Sequence, residues 1–473
     1  MGEYEIDLLE VNRGLVVAPA GCGKTELIAR AVRRHSGSKP ILVLTHTNAG
    51  VAALRHRLDT AGVGRSRYRL ATIDGWAMRL ISTFPVRAGH DPGIITRQRP
   101  DYRAIREAAV GLLKASHISD VLSASYSQVL VDEYQDCSVR QHAIVGYASM
   151  VVPVCVVGDP MQSIFDFGDD PLADWERRVL GHFPMVAELD RPWRWINAGT
   201  EPLGEWLLEV RRRLVEREGV DLSTAPEQVS RVVLDGTASD HQKLLEAGRV
   251  VAPGGGSVLI IGESTSPESQ RRFARQTPGA VTVEAVDLRD LVSFARRLDL
   301  GAPDALREIA EFAQGVMTSV GATDLVRRVG ILEGGRERKS ASSVELAALA
   351  FKRERTPERV VDLLVEINKE GGVRAHRPDL LRACVRALQM CSSTAAITFA
   401  DAAVRIREQS RIQGRRLPKR AVGSTLLLKG LEAEVVVILN ADSLNARNLY
   451  VAMTRGSKRL IVCGRAGVLN PAA

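Results

Sequence analysis

The sequence predicts an α/β protein built on parallel sheets, and three observations predict it. Residues 15–18, 41–44, 129–131 and 154–157 are continuous apolar runs of strand length, the pattern of strands buried on both faces. Each run leads at once into polar or glycine-rich residues: APAGCGKT, THTN, DEYQD and GDPMQ. Between the runs the spacing turns helical. Open α/β sheets bind ligands beyond the carboxyl ends of their strands, so four such deliveries predict one shared site.

Along the chain the elements fall in order. The first domain is expected over residues 1–184. Within it, at about 82–125, Ile105, Ala108, Ala109, Leu112 and Leu113 recur at helical spacing and predict a short helical insertion. A second α/β domain is expected to begin at 185, with strand candidates at 258–261 and 281–286. From 287 to 420 the chain turns helical and Arg-rich. Thr356-Pro357 predicts a helix start, Thr as cap and Pro at the first helical position, with Val360, Leu363, Leu364 and Ile367 as its apolar face. Strand-like runs return at 435–439 and 460–462. The second domain is therefore expected in two parts, 185–286 and 421–473, split by the helical insertion 287–420.

A chain of 473 residues suggests two to four domains. Lys and Arg number 64 against 56 Asp and Glu, a net charge of +8 that suits a polyanionic partner such as nucleic acid. The apolar runs stop well short of the ~18 residues that span a bilayer, so no membrane partner is expected. No charged-then-apolar leader opens the chain. Six cysteines are scattered without a CxxC pair, which excludes a zinc ribbon or a disulfide scaffold and fits a reducing cytoplasm.

Residues 18–25, APAGCGKT, form a Walker A loop with Ala at its first glycine position. A loop that wraps phosphates needs small residues, because its backbone N–H groups must approach the oxygens closely. Ala20, Gly21, Cys22 and Gly23 line it. The helix from Glu26 to Arg34 points its positive end at the anion. Lys24 is expected to reach the β- and γ-phosphates of ATP, and Thr25 to bind Mg²⁺. Cys22, near that helix start, is expected to have a depressed thiol pKa, which would suit a redox switch, but the favoured reading is a merely small residue at a tolerant position. Asp132 and Glu133 end an apolar strand, one suited to hold Mg²⁺ and the other to take a proton from the attacking water. Gln162 could sense the γ-phosphate or orient water, since its amide both donates and accepts.

Together these motifs resemble a family. APAGCGKT at 18–25, LTHTNAGVAALRHRL at 44–58, ATIDGWAMRL at 71–80, VLVDEYQD at 129–136, VVGDPMQSIFDF at 156–167, LDRPWR at 189–194, STLLLKGLEAEVVVI at 424–438 and LYVAMTRG at 449–456 follow one another as in the superfamily 1A DNA helicases of the UvrD/Rep/PcrA type. The resemblance implies two RecA-like P-loop domains, each with a helical insertion, and ATP clasped between them. It places Trp193 on the adenine, Arg194 and Arg455 on the γ-phosphate from the second domain, and Gly430 and Glu432 in the motif lining its nucleotide and DNA sides. It implies DNA contacts at Thr47, Asn48, Thr72, Trp76, Phe165 and Phe167. The expected activity is ATP hydrolysis driving movement on single-stranded or partially duplex DNA, 3′-to-5′.

Departures from the family are visible too. Residues 5–14 hold no Gln where the family reads adenine. The family often carries His in place of Asp74 and Leu426. The compact insertions make translocation a safer expectation than processive unwinding. The layout is similar to the small helicase subunit of the Gabija antiviral system, which acts beside a nuclease-bearing protein. A second function also fits the motifs: a nucleotide-sensing subunit that gates a partner nuclease without processive unwinding.

Overall fold

Six parallel strands build the first sheet of the computed structural model: β1 (Arg13–Val17), β2 (Ile41–Thr45), β3 (Tyr68–Thr72), β4 (Gln128–Val131), β5 (Val154–Gly158) and β6 (Met185–Glu188). Their order is β3-β2-β4-β5-β1-β6, and every neighbouring pair is parallel. The structure describes residues 6–96, 100–165, 170–263, 266–284, 288–335, 339–393, 397–412 and 418–472.

Alternation along the strands explains why this sheet needs apolar residues at successive positions. Leu15, Val17, Leu42, Leu44, Val129, Val131, Val154 and Val156 enter one core, with the helices Ile73–Thr83, Tyr102–Lys114 and Val139–Ala148 above them. Val16, Ala18, Ile41, Val43, Leu130, Cys155 and Val157 enter a second core, under the helices Lys24–Arg34 and Asn48–Thr60. Each such side chain, taken fully from water, contributes about 1.5–3 kcal/mol, so both faces hold the sheet firmly while its carboxyl edge stays free for chemistry. The expected helical insertion is present as Pro85–Ala88, Gly93–Thr96, Tyr102–Lys114 and Ser119–Ser125.

The remaining strands are β7 (Val220–Asp221), β8 (Val229–Val233), β9 (Val258–Ile261), β10 (Val281–Thr282), β11 (Arg420–Gly423), β12 (Ala433–Ile438), β13 (Gly456–Gly464) and β14 (Val468–Leu469). β7 and β14 pair antiparallel. The others form a second six-stranded sheet, ordered β10-β11-β9-β12-β13-β8, in which β10–β11, β11–β9 and β9–β12 are parallel. The expected α/β class holds, and two such sheets are consistent with two RecA-like domains. The predicted strand 281–286 is formed at Val281–Thr282, while residues 285–287 lie outside the described residues.

Two compact units divide the chain. One contains Met1–Ser230, Ala441–Leu460 and Ala466–Ala473; the other contains Arg231–Asn440 and Ile461–Arg465. The sequence expectation closes the first domain at 184. In the structure β6 pairs with β1, and the first unit runs on to Ser230. Between β10 and β11 the second unit carries a set of helices from Arg289–Arg297 to Phe399–Ile412 around their own core, which includes Leu291, Phe294, Ile309, Phe351, Leu363 and Leu388. Thr356 caps the helix Pro357–Lys369 as its sequence predicts, its hydroxyl accepting from the Arg359 amide. Among the described residues no helix is long and apolar enough to cross a membrane.

Candidate functional site

β1 runs directly into the Walker loop. The Ala18 amide donates to the Gly158 carbonyl at 2.9 Å, which ties the loop's first residue to the end of β5. Gly21 and Gly23 adopt positive φ, +75° and +88°, and Gly23 caps the helix Lys24–Arg34. A Cβ on Gly21 would lie 2.4 Å from Cζ3 of Trp195, so glycine is required there for space as well as for backbone angle. The Arg194 amide donates to the Gly21 carbonyl at 3.0 Å. The Ala20 amide donates to the Tyr450 hydroxyl, also at 3.0 Å. Residues far apart in sequence therefore shape one small loop.

Cys22 corrects an expectation. Its thiol is buried in this loop, and burial, helped by the Asp159 carboxylate, pushes its pKa up to about 12. Desolvation outweighs the pull of the helix start, so Cys22 serves as a small residue and not as a reactive thiolate.

Lys24 and the two carboxylates meet. Its Nζ is 2.6 Å from Oε1 of Glu133 and 3.7 Å from Oδ1 of Asp132. Burial alone would lower the pKa of Lys24, but Glu133 and Asp132 outweigh it and hold the amine above its ordinary value. Burial pushes Asp132 up against the pull of Lys24. Glu133 is a non-glycine residue at φ +55°, a costly left-handed conformation of the kind that clusters at active sites. Gln135 holds its other oxygen: the Gln135 amide donates to Oε2 of Glu133 and accepts from the Asp159 amide at 3.1 Å. The donor set of the Thr25 hydroxyl and the Asp132 carboxylate is hard oxygen, which suits Mg²⁺ sharing its shell with phosphate and water.

Gln162 is buried beside this group, its Nε2 donating to Oδ2 of Asp159 at 3.1 Å. Arg194 and Arg455 converge on one residue. The Arg194 guanidinium donates to the Thr454 carbonyl, and Arg455 donates to the Thr454 hydroxyl at 3.2 Å and to the Val451 carbonyl at 2.9 Å. Both arginines belong to the same compact unit as the Walker loop. Trp193 is half-buried with the Arg191 guanidinium 4.3 Å over its ring, so an adenine stacked there would use the opposite face. Gly430 (φ +79°) and Glu432 are exposed, in the second unit, on the turn before β12.

The residues expected on DNA divide. Thr47 and Thr72 are helix caps, accepting from the Gly50 amide at 3.0 Å and the Gly75 amide at 2.9 Å; Thr47 and Asn48 are exposed. Phe165 is half-buried, its ring 5.9 Å from that of His46. Trp76 is 2% exposed and packs into the core on the Leu15 side of the first sheet, so its ring fills the fold and presents no surface for a base. Phe167 lies outside the described residues.

Sequence reasoning missed three contributors. Trp195 and Tyr450 shape the loop, and Arg211 grips Asp159. Tyr450 stands inside LYVAMTRG, which signalled it. Arg211 sits in an ordinary Arg-rich helix, Glu201–Val215, with nothing to single it out.

Residues 8–110 and 95–170 match the family model described as UvrD/REP helicase N-terminal domain. The matched residues, about a third of the chain, are thus similar to the N-terminal domain of UvrD/REP helicases. No curated protein matches it. Among solved structures, the chain matches a Pif1 helicase from Bacteroides in complex with ADP-AlF3 and ssDNA, at 15% identity and a TM-score of 0.27. The match covers 56% of this chain and 54% of that one, so this chain spans about half the length of the structure it matches.

Proposed function

We propose that this protein is an ATP hydrolase that uses the energy to move 3′-to-5′ along single-stranded DNA. The observation that carries the reading is the meeting of Lys24 with Glu133 at 2.6 Å and Asp132 at 3.7 Å beneath a Walker loop. Lys24 exchanges its carboxylate partners for the β- and γ-phosphate oxygens when ATP enters. Thr25 and Asp132 would hold Mg²⁺, which would supply positive charge against the phosphates. Glu133, freed from Lys24, accepts a proton from the attacking water. Gln162 orients that water. Arg194 and Arg455 stabilise the charge that develops on the γ-phosphate. Trp193 offers a face to the adenine, and Gly430 and Glu432 match the family motif that lines the nucleotide and DNA sides of the second domain.

DNA is taken to run past the carboxyl ends of the strands, where Thr47, Asn48 and Phe165 stand. Aromatic stacking there tolerates any sequence, which suits a motor. The compact insertions and the likeness to the Gabija helicase subunit support a cytoplasmic role in antiviral defence beside a nuclease-bearing partner.

The test is the ATPase rate with single-stranded DNA, duplex DNA and RNA at low salt, where phosphate contacts are strong. Stimulation by single strands, abolished by Lys24→Ala and by Glu133→Gln, is expected. A wild-type rate that DNA does not change sinks the motor reading. Rapid DNA-stimulated turnover that displaces neither a strand nor a bound protein favours the nuclease-gating sensor instead.

A further inference from the structure

Asp159 is a carboxylate with 0% exposure at the end of β5, and its two oxygens do different things. Oδ1 accepts from the Met161 amide at 3.1 Å and from Nε and Nη2 of Arg211 at 3.1 and 3.0 Å. Oδ2 accepts from the side-chain amide of Gln162 at 3.1 Å. Arg211 is fixed from behind, its Nη1 donating to Glu188 at 2.8 Å at the end of β6. A carboxylate this deep needs a charged partner, and Arg211 supplies it through two of its nitrogens.

An amide has polarity. Held by its NH₂ group, Gln162 keeps its carbonyl oxygen for other donors, a water included. Turned round, it would set that oxygen against a carboxylate oxygen, acceptor against acceptor. The orientation of Gln162 thus depends on Oδ2 of Asp159 being held toward it, and Arg211 holds the carboxylate in that position through Oδ1. We propose that Arg211 is a positioning residue for ATP hydrolysis: by pinning Oδ1 of Asp159 it fixes which way the Gln162 amide faces the reacting phosphate. This inference rests on the hydrolysis reading above and assigns a role to a helix outside all the recognised motifs. Burial works against the charge on Arg211, and Asp159 more than restores it, holding the guanidinium above its ordinary pKa.

The experiment measures DNA-stimulated kcat, and the Kd of a fluorescent ATP analogue, for the full chain carrying Arg211→Met, Arg211→Lys, Gln162→Ala and the double variants. Arg211→Met should lower kcat by about 10–100-fold and Arg211→Lys by about 3–10-fold, with Kd within about 3-fold of wild type. In the Gln162→Ala background neither Arg211 change should lower kcat further, because residues acting as one unit are not additive. Arg211→Lys keeps the charge, so it carries the comparison if Arg211→Met does not fold. Additive losses in the double variants, a Kd that rises in step with the fall in kcat, or an Arg211→Lys rate equal to wild type overturns the positioning role alone. A wild-type protein that hydrolyses no ATP overturns this inference and the hydrolysis reading together.

Discussion

Arg106 closes on Asp74 with two hydrogen bonds of 2.7 Å, Nε to Oδ1 and Nη2 to Oδ2, and its remaining nitrogen reaches Asp170 at 2.7 Å. Arg106 belongs to the helical insertion, Asp74 to the helix after β3, and Asp170 to the segment after the Gln162 motif. Arg140 adds bonds to Asp170 at 3.1 Å and to Glu107 at 2.9 Å, and Gln141 donates to Asp74 at 3.1 Å. The insertion is thereby fastened to the helix Val139–Ala148, which follows Asp132 and Glu133.

Breaking that fastening leaves the buried Asp170 with Arg140 alone and the half-buried Asp74 with only the Gln141 amide. Arg106→Met should destabilise the protein by about 3–5 kcal/mol, the cost typical of removing one member of a buried ion pair. Denaturant unfolding followed by circular dichroism measures it. A loss below about 1 kcal/mol would mean the network is no stronger than an exposed pair.

Gly21→Ala should damage nucleotide binding more than folding. The added methyl meets Trp195 at 2.4 Å and sits on a backbone of φ +75°. Relieving both requires the loop to move, and affinity for ATP should fall by at least about tenfold, which corresponds to roughly 1.4 kcal/mol. Titration with a fluorescent ATP analogue reads this, and unchanged affinity would show that Trp195 gives way freely.

Cys22 should resist alkylation. With its thiol pushed up to about 12 and buried, almost no thiolate exists at pH 8. Mass spectrometry of the native protein after iodoacetamide treatment should find Cys22 unmodified. Cys22→Ser should retain ATPase activity, because only a small side chain is needed. Rapid labelling of Cys22 in folded protein would contradict the burial described above.

His142 makes stability depend on pH. Its Nδ1 lies 2.8 Å from the Tyr134 hydroxyl; burial, with help from His182 and Arg178, lowers its pKa from 6.5 to about 4. Between these values the unfolded chain binds the proton and the folded chain does not. The contribution is therefore complete above pH 6.5 and is lost as pH falls toward 4. Discounted for partial exposure, it amounts to about 2 kcal/mol. Unfolding free energies at pH 7 and pH 4.5 should differ by about that amount less in His142→Gln than in wild type, and equal differences would refute the assignment.

What the sequence made legible follows from burial. Strands covered on both faces announce themselves as apolar runs, and β1, β2, β4, β5, β9 and β12 were readable for that reason. β6, at the edge of its sheet with Met185 and Val186 exposed, carries no such run, and neither does β8. Lys24, Asp132 and Glu133 were readable because the chemistry demands those residue types at strand ends. Trp76 misled because an aromatic in a motif serves a core as well as a surface. Asp74, noted only as a departure from the family's His, is the anchor of Arg106. Arg211 was invisible because its role depends on a partner 52 residues away, which no local pattern encodes.

The bond from the Ala20 amide to the Tyr450 hydroxyl spans 430 positions. A ribosome adding about 5–20 residues per second needs roughly 20–90 s between the two. During that interval the Walker loop of the nascent chain already exists while its tyrosine latch has yet to be made. The finished shape of that loop thus waits on the synthesis of Tyr450, and products interrupted before it would lack the bond.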